Sequence, residues 1–361
     1  GMISPWNFPM YLSLAPLAGI FSAGNQVMHK PSEFTPITSE LLKEICDSAF
    51  DETEFATFLG GPDIGAAFTQ LKFDHLLFTG SGNIAKHVMR AASENLVPLT
   101  LELGGKSPVI VSDSSNIDIT ARRVMFNKTL NAGQICLAPD YVYVHETEKD
   151  NFVEACKIQV NEFYSDLKYN PDYTSVINQK HYDRLNGLLS DAKDHGAELV
   201  EINPANEDFS QQESHKIPPT LVLNPTDEMQ IMKEEIFGPL LPIKTYKEIN
   251  EPINYINKND KPLGLYYFGN NKNEEAKVVN STSSGGVTVN DIMGHIQQNE
   301  LGFGGVGPSG MGKYDGFDGF MNFSNNKPIY KQIGFGLDKL LDAIRPPYKG
   351  NIEDVLKKLL K

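Results

Sequence analysis

The order of apolar and polar positions divides the first hundred residues into short β-like runs and helical stretches. "NQVMHK" (25–30) reads as a strand, and Pro31-Ser32 opens a loop. "ITSELLKEICDSAF" then places Ile37, Leu41, Leu42, Ile45 and Ala49 at helical spacing, the face such a helix would bury. "ATFLGG" reads as a strand ending on a glycine turn, "DIGAAFTQL" as a short helix, "DHLLFTG" as a strand and "NIAKHVMRAASENL" as a helix. "PLTLELGG" and "SPVIV" are two further β-rich runs, separated by Gly104-Gly105. Strands alternating with helices over these lengths predict an α/β fold with a mostly parallel sheet covered on both faces.

A second α/β unit is predicted from about residue 105. It has an amphipathic helix near 117–130, a strand at 141–144, a helix at 150–163 and a polar loop near 204–216. The strands "TLVLN" and "LLPIKTY" come later, and the Gly-rich "LGFGGVGPSGMG" (301–312) precedes a tail rich in aromatics. At the end, "NIEDVLKKLLK" puts Ile352, Val355, Leu356, Leu359 and Leu360 on one helical face. A docking helix against its own or a partner subunit is the better reading, because a stable membrane-surface anchor needs a second signal.

Composition narrows the class. The 361 residues suffice for two or three domains, and 40% hydrophobic with 22% charged residues is ordinary for a globular chain. A net charge of −14 argues against a broad footprint for nucleic acid or an anionic membrane. Cys46, Cys136 and Cys156 are too few for a disulfide framework, so a reducing, cytoplasmic setting is expected. "MYLSLAPLAGIFSAG" lacks a basic start and is broken by Pro16, which argues against a secretory leader, and no apolar run reaches membrane-spanning length. Gly1 before Met2 reads as a residue added in cloning.

The candidate chemistry begins at "LNAGQICLAPDYVYVH" (130–145). Cys136 sits in a turn-like segment between two ordered elements, where a side chain can be presented to a ligand, though position alone leaves a packing role open. "FTGSGNIA" (78–85) matches a dinucleotide fingerprint between a predicted strand and helix, and Glu102 lies where a ribose-binding acid would be sought. Yet Glu102 stands on an apolar strand between leucines. There it is either a buried acid with a partner or a base of raised pKa, and "HKPSE" (29–33) is the better ribose reader.

Taken together, "SPWNFP" (4–9), "KPSE" (30–33), "FTGS" (78–81), "LELGGKSP" (101–108), "NAGQIC" (131–136), "EEIFGPLLP" (234–242) and "FGGVGPSGMG" (303–312) resemble the motifs of the aldehyde dehydrogenase superfamily, in its order. The resemblance spans about residues 2–348. "APDY" and "RPPY" look most like its class 3 and coniferyl aldehyde dehydrogenase branch. It implies a Rossmann-like cofactor domain over 1–104, lacking the family's N-terminal stretch, an α/β catalytic domain over 105–312 and an oligomerisation tail over 313–361. It further implies a homodimer or higher homo-oligomer acting on a small-molecule aldehyde.

The resemblance also implies roles. Cys136 would attack the aldehyde carbon, Asn7 and the Cys136 N–H would hold the oxyanion, and Glu102 would activate the water that hydrolyses the thioester. Lys30 and Glu33 would bind the adenosine ribose, Gly80 and Ser81 the pyrophosphate, and Glu235 the nicotinamide ribose, with Phe237 near the ring. NAD is favoured, because Glu33 would repel the 2′-phosphate of NADP unless it swings away. No metal-binding spacing occurs, and His295 reads as a packed or substrate-lining residue. With no histidine near Cys136 before His145, a Cys/His hydrolase is disfavoured, and Glu102 disfavours a coenzyme-A acylating enzyme.

Two departures stand out. Ala85 occupies a position where the family often has Gly in the turn below the pyrophosphate. The chain also begins at "PWNFP", so the cofactor sheet is expected to have bare edges and to bind NAD weakly. A non-catalytic truncated remnant of the family is the alternative reading.

Overall fold

The computed structural model describes residues 1–332, 345–347 and 352–360. It divides into two units, Gly1–Ser324 and Asn325–Lys361.

The first unit holds two sheets. Strands β1 (Met2–Ile3), β2 (Val27–Lys30), β3 (Phe55–Thr57), β4 (Leu76–Thr79) and β5 (Leu99–Glu102) build one, all in parallel. The second comprises β6 (Pro108–Val111), β7 (Tyr141–His145), β8 (Glu198–Glu201), β9 (Thr220–Leu223), β10 (Leu240–Tyr246), β11 (Gly264–Phe268) and β12 (Gly286–Val289). Only β8, at one edge, runs antiparallel, in the order β12-β11-β6-β7-β10-β9-β8. A last short strand, β13 (Gly310–Met311), returns to the first sheet and lies antiparallel to β5, giving β13-β5-β4-β1-β2-β3. The two sheets part between Glu102 and Pro108.

The central strands of the second sheet are buried on both faces, as a helix-covered parallel sheet requires. Residues 109–111, 141–144, 220–223 and 264–268 are buried without interruption. The alternation read from the sequence therefore appears as the expected α/β architecture.

Two expectations need correction. The helix Pro36–Ala49 forms, but it buries Ser39, Leu42 and Cys46, while Ile37 is 81% exposed and Leu41, Ile45 and Ala49 also face outward. The buried stripe is set by the Leu42–Cys46 spacing, one step round from the most apolar stripe. Ala85 is not in the turn before the helix but in the first turn of Gly82–Ser93, and its methyl is buried beside Phe78, Val88 and Leu101. The bare edge expected of the first sheet is found on one side only. β2 lies between β1 and β3, β4 lies between β1 and β5, and β13 covers the outer edge of β5. The open edge is that of β3, three residues long.

In the second unit the described helix runs Ile352–Leu359, and Leu356 and Leu360 are exposed. The side chains of Val355 and Leu359, two of the apolar positions expected on its face, lie outside the described residues.

Candidate active site

The loop that carries Cys136 is built from unusual backbone. The helix Ile117–Thr129 ends in a turn where Asn131 (φ 51°), Ala132 (φ 52°) and Gly133 (φ 71°) are all left-handed. Three such residues in succession are costly and persist only when their surroundings hold them. Gln134, buried, does much of this: its Nε2 donates to the carbonyls of Asn131 (2.9 Å) and Ser175 (3.1 Å), and its Oε1 accepts from the Ile177 N–H (2.9 Å). Gly133 leaves no room for a side chain, since a Cβ would sit 2.4 Å from the Gly238 carbonyl oxygen. The turn delivers Cys136 half-buried, with the backbone N–H groups of Cys136 and Leu137 directed at its sulfur.

Asn7 reaches this loop from the segment after β1. Its Nδ2 donates to the Gln134 carbonyl at 3.1 Å, and Asn131 Nδ2 donates to the Asn7 carbonyl at 3.0 Å. The first sheet and the cysteine loop are thus hydrogen-bonded directly through two asparagines.

Glu102 ends β5, opposite Gly310 of β13. The Gly-rich segment closes over it so tightly that a Cβ on Gly304 would lie 3.1 Å from Oε1. Among the described residues no lysine pairs with it. Its carboxylate oxygens find no hydrogen-bond partner of full geometry among the described residues, although the Gly305 N–H is directed at the group. Burial, and then the charge of Asp315, raise its pKa well above the usual carboxylate range. Glu235 is placed similarly: its carboxylate fills the space beside Gly104, Oε1 is buried without a partner among the described residues, and burial raises the pKa to about 7. Both acids face Cys136. Burial first, then Glu102 and Glu235, push its thiol well up, so the resting group is the thiol.

Of the remaining sequence candidates, Lys30, Glu33, Gly80 and Ser81 lie at the carboxyl ends of strands, and Phe237 precedes β10. Lys30, buried at the end of β2, pairs with Glu33 at 2.6 Å. Gly80 and Ser81 link β4 to the helix Gly82–Ser93, and Ser81 caps that helix by accepting from the Ile84 N–H at 3.4 Å. Phe237, at φ 47°, packs edge-on against Trp6 at 5.5 Å. The N–H groups that open the helix Gly82–Ser93 and the buried Glu235 carboxylate, whose Oε1 has no partner among the described residues, are the kinds of group that fit the pyrophosphate and ribose hydroxyls of a dinucleotide.

Sequence reasoning missed several neighbours. Trp6 also meets His181 at 5.6 Å, and Arg184 donates to the carbonyls of Glu235 (3.3 Å) and Ile236 (2.6 Å). Tyr314, buried with its hydroxyl unpartnered among the described residues, shares the electrostatic field of Glu102, Cys136 and Asp315. Lys128, buried, donates to the Pro139 carbonyl at 2.8 Å. Only the adjacency of Trp6 to Asn7 could have flagged any of these. His295 is packed: its Nδ1 meets Thr288 Oγ1 at 2.8 Å and its ring stacks on Phe303. Among the described residues no three His, Cys, Asp or Glu side chains gather to hold a metal, and no helix is long and apolar enough to cross a membrane.

Two parallel-rich sheets meeting at a cysteine loop flanked by buried carboxylates define an α/β enzyme of the oxidoreductase class. The chain belongs to the aldehyde dehydrogenase family, whose model matches residues 1–329. A probable coniferyl aldehyde dehydrogenase of Caulobacter vibrioides is 55% identical over 356 residues, 99% of this chain and 73% of that relative. Among solved structures, Staphylococcus aureus AldH in a substrate-bound state superposes with a TM-score of 0.86 at 40% identity, covering 100% of this chain and 76% of that one. An NAD-dependent aldehyde dehydrogenase from Sinorhizobium meliloti gives 0.82 at 26%, covering 91% and 67%.

Proposed function

We propose that this chain oxidises an aldehyde to the carboxylic acid through a thioester on Cys136, with NAD or NADP as co-substrate. The observation that carries the reading is the convergence on Cys136 of backbone N–H groups and two buried carboxylates, Glu102 and Glu235. The thiol releases its proton to solvent as sulfur bonds to the aldehyde carbon. The oxygen that becomes negative meets Asn7 Nδ2 and the Cys136 N–H, a donor pair held in place beforehand by the loop. Lys30, Glu33, Gly80, Ser81, Glu235 and Phe237 are the groups we assign to the dinucleotide, which supplies a hydride acceptor. Glu102, made more basic by burial, then takes a proton from the water that displaces the acyl group and restores the thiol.

We assign residues 1–104 to the cofactor domain, 105–312 to the catalytic domain and 313–361 to an oligomerisation tail, and we infer a homodimer or larger homo-oligomer. The name of the Caulobacter relative, with the aromatic residues Trp6, Phe237 and Tyr314 about the site, favours an aromatic aldehyde of the coniferyl kind. NAD is preferred because the Glu33 carboxylate stands where a 2′-phosphate would be repelled.

The test is Cys136→Ala. NADH formation from any aldehyde, followed at 340 nm, should vanish, while NAD binding by calorimetry stays near the parent's. Turnover close to the parent's would remove Cys136 from the chemistry.

A further inference from the structure

One carboxylate, away from the reacting atoms, ties together three segments of the site. Asp140 is buried and follows Cys136 by one turn of loop. Its Oδ1 accepts from Lys106 Nζ, and its Oδ2 accepts from the Ile236 N–H at 2.9 Å. Its own N–H donates to the Ser107 carbonyl at 2.9 Å. Lys106 donates onward to the carbonyls of Ile231 (2.7 Å) and Glu234 (2.9 Å). The peptide groups on both sides of Glu235 are therefore held by this one ion pair, and Gly104, against which the Glu235 carboxylate packs, lies two residues before Lys106. Lys128 fastens the Pro139 carbonyl, so the loop carrying Cys136 is held at the same end.

We propose that Asp140, with Lys106 as its counter-charge, is a positioning residue that holds Glu235 and the Cys136 loop in one fixed relation. The inference rests on the roles assigned above to Cys136 and Glu235. Neither Asp140 nor Lys106 need touch substrate or cofactor. Their work is to prevent the Glu235 segment from sliding along the cysteine loop, which would separate cofactor from nucleophile.

The pair also acts on Glu235 electrically, and this makes the role testable. The groups facing the Glu235 carboxyl are Asp140, which raises its pKa, Lys106 and Arg184, which lower it, and the Gly105 N–H, which favours its charged form. Cys136 and Lys128 share the same field. Removing one or the other member of the pair must therefore move the proton loss of Glu235 in opposite directions, whereas a general loosening of the fold away from Glu235 would move neither profile.

The experiment is NAD affinity by calorimetry from pH 5.5 to 9, which does not depend on turnover. Asp140→Asn keeps the acceptor for the Ile236 N–H but not the charge, and should shift the affinity profile to lower pH. Lys106→Met should shift it to higher pH. A half-unit displacement changes affinity about threefold at a pH on the slope. Should Lys106→Met fail to fold, the double variant Lys106→Met/Asp140→Asn carries the test, and its profile should lie above that of Asp140→Asn alone. Shifts in the same direction, or an unmoved profile, would overturn the proposal. A pH dependence that survives in Glu235→Gln would take Glu235 out of the cofactor site and Asp140's role with it. If Cys136→Ala instead retains turnover while these profiles move as expected, it is the catalytic reading that fails.

Discussion

Glu102 and Glu235 are acids that the fold keeps from ionising freely, and burial is the first cause in both. For Glu102 the consequence is chemical. Glu102→Gln keeps the shape but cannot take a proton, so the acyl group should accumulate on Cys136. Rapid quenching with aldehyde and NAD, followed by mass spectrometry, should find the adduct; full-rate turnover without one would place the base elsewhere. For Glu235 the consequence is also energetic. Below pH 4.5 its carboxyl is protonated in folded and unfolded chains alike; between there and about 7 only the folded chain keeps the proton. Stability therefore falls as pH rises through that window, by about 3 kcal/mol at most. Glu235→Gln should flatten the fall and be the more stable form at pH 8 by urea unfolding; equal slopes for both proteins would refute the burial account. Cys136 and Glu102 were legible in the sequence because each breaks its local pattern, a cysteine after a polar turn and an acid among leucines. Asp140, Lys128 and Tyr314 break no pattern: the first two lie near Cys136 in the chain but look like ordinary polar residues, and long-range folding alone brings Tyr314 to the site.

The same division holds for the elements. Helices with caps and spaced apolar positions, such as Gly82–Ser93 and Ile117–Thr129, could be placed from sequence. Strand β11, "GLYYF", could not, because a strand buried on both faces has no alternation and resembles any apolar run. The stripe of Pro36–Ala49 was misread for a related reason: its most apolar side chains, Ile37, Leu41 and Ile45, are exposed, so periodicity located the helix but not its buried face. The turn before Cys136 was visible only as small polar residues, not as three successive left-handed backbones. Its tolerance for change should be low. Gly133→Ala puts a methyl 2.4 Å from the Gly238 oxygen at φ 71°. The backbone conformation alone costs about 1 kcal/mol, and relief of the clash must move the cysteine loop. The urea midpoint should drop and turnover should fall further than NAD affinity does; parent-like turnover would show that the loop's register is unimportant.

At the scale of the molecule, the two sheets divide the labour. The first presents strand ends and a helix N-terminus, the second carries the cysteine loop and the Glu235 segment, Asn7 and Asn131 fasten one to the other, and the Lys106–Asp140 pair ties together segments of the second. The bare sheet edge expected from where the recognisable motifs begin is open at β3, but it does not reach the strands that carry the sequence candidates. Instead, β1, β2 and β4, which carry or flank Asn7, Lys30, Gly80 and Ser81, are all interior strands whose ladders are paired on both sides. A paired strand holds its end loop through backbone hydrogen bonds on two sides, and the short β3 edge lies beyond the ribose-reading turn rather than within it. The 361-residue chain should therefore bind NAD with a single well-defined affinity, and Lys30→Ala should weaken it by roughly tenfold, as expected for losing one charge-assisted contact. Calorimetric titration checks both. A chain that fails to bind NAD, while retaining its secondary structure by circular dichroism, would mean that pairing within this sheet is not enough and that the crevice needs support from outside it.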